Sequence, residues 1–150
     1  MINTDAYDLS RDIPNLAIGY TRDNEDGQRQ NNLFLHVIKG CSAGGGFSTV
    51  EDLLHFALAL ESNKLVNAQY TKLITTCKPK TFDPKNRYAY GFEDKVINGK
   101  RVYGHGGGFP GINSQLDIYP ELGYIVAVMA NYDPPAAFRV ANKVRQLITR

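Results

Sequence analysis

Residues 104–111 read Gly-His-Gly-Gly-Gly-Phe-Pro-Gly. A histidine can donate, accept or take up a proton near neutral pH. His105 does so on backbone that carries almost no side chains. A ligand could approach the N–H groups of Gly106, Gly107 and Gly108 closely, because no Cβ stands in the way. The same composition also suits an ordinary glycine-rich connection between strands. Gly106 to Gly111 satisfies G-x-G-x-x-G, but a dinucleotide loop must open a helix that faces the pyrophosphate. Pro110-Gly111 leads instead into an alternating strand, so a nucleotide is not expected here.

A second pattern is Gly40-Cys41-Ser42-Ala43-Gly44, which satisfies G-x-S-x-G. A nucleophile elbow turns directly into a helix. Here three glycines run from Gly44 to Gly46, and they are poor helix starters. Ser42 is therefore not expected as a nucleophile, and Gly44 to Gly46 are expected to let the backbone bend tightly under the following helix. His36, in an apolar stretch, and His55, inside a helical pattern, are expected to be packed or exposed without a chemical role. Asn113 and Ser114 follow the glycine segment and could line a cleft wall, although strand alternation already accounts for them. Cys41 and Cys77 show no CxxC spacing, and no paired histidines support zinc. Neither a disulfide, a metal nor a cofactor is expected.

The elements that must position His105 can be read from periodicity. LAIGYT at 16–21 reads as a short strand, and the polar run from Arg22 to Asn32 as an exposed loop. LFLHVI at 33–38 reads as a second short strand or a buried loop. Ser48 with Glu51 three residues on forms a capping box before an apolar run. The helix it opens is expected over about Thr49–Glu61, with Val50, Leu53, Leu54, Ala57, Leu58 and Leu60 on its apolar face. Asn67 reads as the N-cap of a second helix carrying Tyr70, Leu73, Ile74 and Cys77, with Pro79 just past its end. Beyond residue 86 the period changes to two. Tyr88–Glu93 is strand-like, and Asn98-Gly99 marks a type I′ hairpin. Ile112–Tyr119 alternates as a half-buried strand. YIVAVMAN at 124–131 suits the middle of a sheet. Pro134-Pro135 then starts a last helix with Phe138, Ala141, Val144 and Ile148 on one face. The expected fold is α+β: an antiparallel meander of about 3–5 strands with helices packed on it, including a C-terminal helix, in one domain over 1–150.

Taken in order, AIGYT, SAGGGFSTVEDLLHFALAL, YAYGF, YGHGGGFPGINSQLDIYPELGYIVAVMANYD and a closing helix resemble the C-terminal half of the serine β-lactamase-related family. That family includes class C β-lactamases, DD-peptidases and related esterases. The resemblance covers nearly the whole chain, and the segment around His105 is its most specific part. Even MINTDAYD looks like the stretch that follows the family's Pro-Leu-Gly turn, with Met1 closing that motif. The resemblance implies a partial β-lactamase/transpeptidase-like fold. It also implies a three-motif active site: a Ser-x-x-Lys nucleophile, a Tyr-x-Asn or Ser-x-Asn element, and a Lys/His-Thr/Gly-Gly strand edge. Only the third is in this chain, as His105-Gly106-Gly107. Ser10, Ser42, Ser48, Ser62 and Ser114 are followed three positions on by Ile13, Gly45, Glu51, Leu65 and Asp117, never by lysine. No tyrosine or serine has an asparagine two positions on. The resemblance places the first two motifs upstream of residue 1. It makes Gly108 an oxyanion-hole N–H donor, puts His105 facing the cleft, and gives Gly106 and Gly107 to the substrate.

The expected function is thus the C-terminal part of a serine hydrolase acting on a β-lactam, peptide or ester through an acyl-enzyme, inactive alone because it holds no activated nucleophile. The alternative is a non-catalytic binding or interaction module that kept the fold. The net charge of +2, with scattered Lys and Arg, gives no case for nucleic acid. No apolar run approaches the ~20 residues of a membrane span. MINTDAYDLSRD is no signal peptide, and the compartment stays open because any export signal would precede Met1. Apolar surface that an upstream half would cover is expected to drive self-association, as a dimer or strand-swapped assembly.

Overall fold

Short-range chemistry sets most of the turns in the computed structural model of the chain, which describes residues 1–22, 25–78 and 87–150. In chain order the elements are β1 (Tyr20–Thr21), β2 (Gln30–Asn31), a 3₁₀ turn at Leu33–Leu35, α1 (Val50–Glu61), α2 (Ala68–Thr75), β3 (Glu93–Ile97), β4 (Lys100–Phe109), β5 (Ile112–Tyr119), β6 (Tyr124–Ala130) and α3 (Ala136–Ile148). β3 to β6 form one antiparallel meander in sequence order, and β1 pairs with β2 as a separate ribbon. The fold is α+β, as the periodicity implies. Asn98 and Gly99 have φ of 49° and 77°. Two successive left-handed residues are what the type I′ turn between β3 and β4 requires.

The meander is covered on both faces. Leu116 and Ile118 of β5 join Tyr103, Phe92, Ala57 and Leu60 in the main core on the α1 side. Fully burying a side chain such as Leu60 or Ile118 contributes roughly 1.5–3 kcal/mol. The alternate residues Asn113, Gln115, Asp117 and Tyr119 are buried too, on the side of α3. The half-buried strand of the sequence reading is therefore buried on both faces. The reason is that its polar side is satisfied by α3. Arg145 reaches down with Nε 2.6 Å from Asp117 Oδ2 and Nη2 2.7 Å from Oδ1, while Gln115 Nε2 donates to Asp117 Oδ1 at 2.8 Å.

Several elements depart from the sequence reading. β6 is the last strand of the meander, not a central one; its apolar run reflects helices packed on both faces of the sheet. LFLHVI is neither strand nor buried loop, since Phe34 and Ile38 are 62% and 70% exposed. Of LAIGYT, only Tyr20 and Thr21 are strand, and of Tyr88–Glu93 only a Tyr88–Glu93 bridge forms. The N-cap of α1 is Thr49, not Ser48: Thr49 Oγ1 accepts from Asp52 N at 3.1 Å. The one-residue offset buries Asp52, which accepts Asn3 N at 2.8 Å and Thr4 Oγ1 at 2.7 Å, and so ties the chain start to α1. Ser48 Oγ lies instead 2.8 Å from Thr4 Oγ1. Val50, Leu54 and Leu58 of α1 stay exposed. The buried face of α3 is Ala137, Ala141 and Arg145, with Phe138 left partly outside.

Asn67 does cap α2, accepting Tyr70 N at 3.0 Å, while Cys77 lies past the end of that helix. Pro79 lies outside the described residues. Cys41 and Cys77 are free thiols. No helix among the described residues is long and apolar enough to cross a membrane.

Candidate functional site

β4 is longer than β3, and the difference makes an open edge. Pairing with β3 ends at Glu93–Gly104, whereas pairing with β5 continues to Phe109–Ile112. From His105 to Phe109 the outer edge of β4 has no partner strand among the described residues. Successive strand residues aim their N–H groups at opposite edges, so every second amide of this stretch is offered to the open side. All four predicted site residues, His105, Gly106, Gly107 and Gly108, lie on it.

His105 is exposed and sits at the point where β3 stops. Its Nε2 is 2.9 Å from the Tyr88 hydroxyl, and the two rings meet edge to face at 78° with centroids 5.7 Å apart. Tyr88 is held beside β3 by a short clip. Asp94 N donates to Arg87 O at 2.9 Å, and Arg87 Nε donates to Asp94 O at 2.9 Å. The Asp94 carboxylate is buried, and burial alone would raise its pKa. Hydrogen bonds from Cys77 N and the Arg101 and Arg87 guanidiniums outweigh that, holding it below the ordinary aspartate value.

The glycines divide by face. A Cβ on Gly104 would fall 1.9 Å from Leu116 O, one on Gly106 2.4 Å from Gln115 Oε1, and one on Gly108 2.6 Å from Pro134 Cγ. The protein itself packs against those three on the α3 side. Gly107 shares the face of His105, and a Cβ there would meet nothing nearer than Ser114 Oγ at 3.5 Å. Gly108, Phe109, Pro110, Asp133 and Pro134 line a shallow concavity of about 350 Å³.

Two neighbours fix this corner. Asn113 donates Nδ2 to Gly107 O at 2.8 Å and accepts Phe138 N at 3.1 Å through Oδ1. It thereby caps α3, whose own N-cap Pro135 offers no side-chain acceptor. Asp133 accepts Gly111 N at 2.7 Å and Arg22 N at 2.9 Å. Its burial is outweighed by these bonds and one from Thr21, so its pKa is lowered. Sequence reading weighed Asn113 as cleft lining and missed its capping. It missed Tyr88 and Asp133 altogether, since no motif spacing links either to the glycine segment.

Ser42, His55 and His36 lie on other elements of the chain. Ser42 occupies an exposed bend well before α1 opens. His55 is exposed on α1, with Nδ1 4.0 Å from Asp52. His36 is packed, its ring 5.9 Å from Phe47 and 6.4 Å from Phe109, and burial lowers its pKa. No cluster of three or more His, Cys, Asp or Glu among the described residues could hold a metal ion.

A family model described as Beta-lactamase matches residues 1–150. Among solved structures, a penicillin-binding protein from Bacillus halodurans is similar at 30% identity and a TM-score of 0.85, over 96% of this chain and 44% of that one. A D-stereospecific amidohydrolase from Streptomyces sp. shares the fold at 21% identity and a TM-score of 0.69, over 88% of this chain and 40% of its own. An octameric penicillin-binding protein homologue from Pyrococcus abyssi does so at 21% identity and a TM-score of 0.72, over 95% and 34%. No curated protein sequence matches this chain. The chain thus spans less than half the length of these solved relatives. With the family matched from its first residue to its last, and the glycine-rich strand edge in place, the chain belongs to the beta-lactamase family.

Proposed function

We propose that the open edge of β4 is one wall of a serine-hydrolase acyl-transfer site, acting on a β-lactam, peptide or ester. In this reading Gly108 N–H is one donor to the tetrahedral oxyanion. A preorganised donor of this kind is worth about 3–4 kcal/mol. His105 presents its ring to the carbonyl or carboxylate side of the substrate, and Gly106 and Gly107 leave room along the strand. The observation that carries the reading is the edge of β4 from His105 onward, which has no partner strand among the described residues. The pair Phe109–Ile112 closes a two-residue turn, and the closing pair of such a hairpin bonds inward. Alternation then sends the amides of His105 and Gly107 toward β5 and those of Gly106 and Gly108 outward.

Amide hydrogen exchange followed by NMR tests this assignment. The Gly106 and Gly108 amides are expected to exchange fast, and those of His105 and Gly107 slowly. The reverse pattern removes Gly108 as a donor. Because none of the serines here has a lysine three positions on, the chain alone is expected to turn over neither nitrocefin nor p-nitrophenyl acetate. Turnover abolished by mutating one of its serines overturns that part of the proposal.

A further inference from the structure

We infer that Tyr88 is a positioning residue for His105, fixing the imidazole as the tautomer with hydrogen on Nδ1. The inference rests on the proposed role of His105. Its geometry stands independently of that role: a 2.9 Å contact from the Tyr88 hydroxyl to Nε2 and an edge-to-face ring contact. A phenol is a good donor, and the bare nitrogen of a neutral imidazole is a far better acceptor than a phenol oxygen. The bond is therefore made by Tyr88 O–H donating to an unprotonated Nε2. That leaves Nδ1 carrying the hydrogen, the opposite of the form a free histidine side chain favours in water.

The protein holds this tyrosine in place from several sides. Tyr88 bridges Glu93, which itself pairs with Gly104, so the three residues lie abreast and His105 follows directly on β4. Ala89 N donates to Phe92 O at 2.7 Å and Tyr90 N to Ile74 O at 3.1 Å, which anchors the residues after Tyr88 to each other and to α2. Arg87, before it, is clamped to Asp94. The backbone at Tyr88 is thus fixed on both sides, and the exposed His105 ring is held by the tyrosine oxygen. The consequence for recognition is chemical. With Nε2 occupied, the nitrogen left for a ligand is a donor, so His105 selects an acceptor such as a carboxylate or carbonyl oxygen.

The test uses the ¹⁵N-labelled chain and two-bond ¹H–¹⁵N correlation of the histidine rings at a pH where His105 is neutral. The parent is expected to show the Nδ1–H form. Tyr88→Phe removes only the oxygen and is expected to return His105 to the Nε2–H form, with the backbone amide spectrum otherwise unchanged. An Nε2–H ring in the parent, or the same tautomer in both proteins, overturns the inference. The exchange pattern of Gly106 and Gly108 is read on the same sample, so loss of the acyl-transfer reading and loss of the tyrosine's role register as separate results.

Discussion

At the scale of single residues, the glycines of β4 answer to two different demands. Gly104, Gly106 and Gly108 are small because Leu116, Gln115 and Pro134 occupy the space a side chain would take. Gly107 has no such neighbour and faces the same side as His105. The sequence shows the run of glycines but not this division, because the packing partners come from β5 and the β6–α3 connection. Gly104→Ala is expected to lower stability by about 1–3 kcal/mol, the usual cost of overpacking, or more given a backbone atom in the way. Gly107→Ala is expected to leave stability nearly unchanged. Urea unfolding of the two variants separates them, and equal losses would contradict the division. His105 was legible from its surroundings, whereas Tyr88, 17 positions away in sequence, was not. A contact between side chains brought together by a hairpin leaves no periodic trace.

At the scale of elements, local chemistry guided most turns and caps, with the α1 cap one residue off at Thr49, while long-range burial was not legible. The Asn98-Gly99 turn, the Asn67 cap and the alternation of β5 are all encoded within a few residues, and all three are present. The misread elements depend on what packs over them. β6 reads as central because it is apolar, yet it ends the meander and is covered from two faces. The inward face of α3 reads as Phe138, Ala141, Val144 and Ile148; Ala141 is buried there, but Phe138 is not, and the deepest polar residue is Arg145, whose partner Asp117 lies on another element. That ion pair is buried at both ends, with side chains 7% and 2% exposed. Removing one partner strands the other charge, so Arg145→Met is expected to cost about 3–5 kcal/mol. Changing Arg145 and Asp117 together to apolar residues is expected to recover most of that loss. Thermal unfolding of the single and double variants checks both outcomes, and an additive pair of losses would refute the coupling.

At the scale of the whole molecule, the apolar residues left outside are too many to be incidental. Phe34, Val37 and Ile38 beside the 3₁₀ turn and Leu58 on α1 are each about half exposed or more. Exposed apolar surface drives association where such residues lie together. The chain is expected to form a dimer or strand-swapped assembly, seen as a concentration-dependent mass in light scattering; a clean monomer at high concentration would count against it. The family resemblance covered nearly the whole chain in sequence, and a solved relative shares the fold over 96% of the chain. One small side chain links these scales. Asn113 holds the carbonyl of Gly107 with one end and the first turn of α3 with the other. The helix and the strand edge are therefore coupled like a lever and its seat. A surface change on α3 that tilts the helix would rotate the peptide planes around Gly107, and the distant substitution would be felt at the strand edge proposed as one wall of the site.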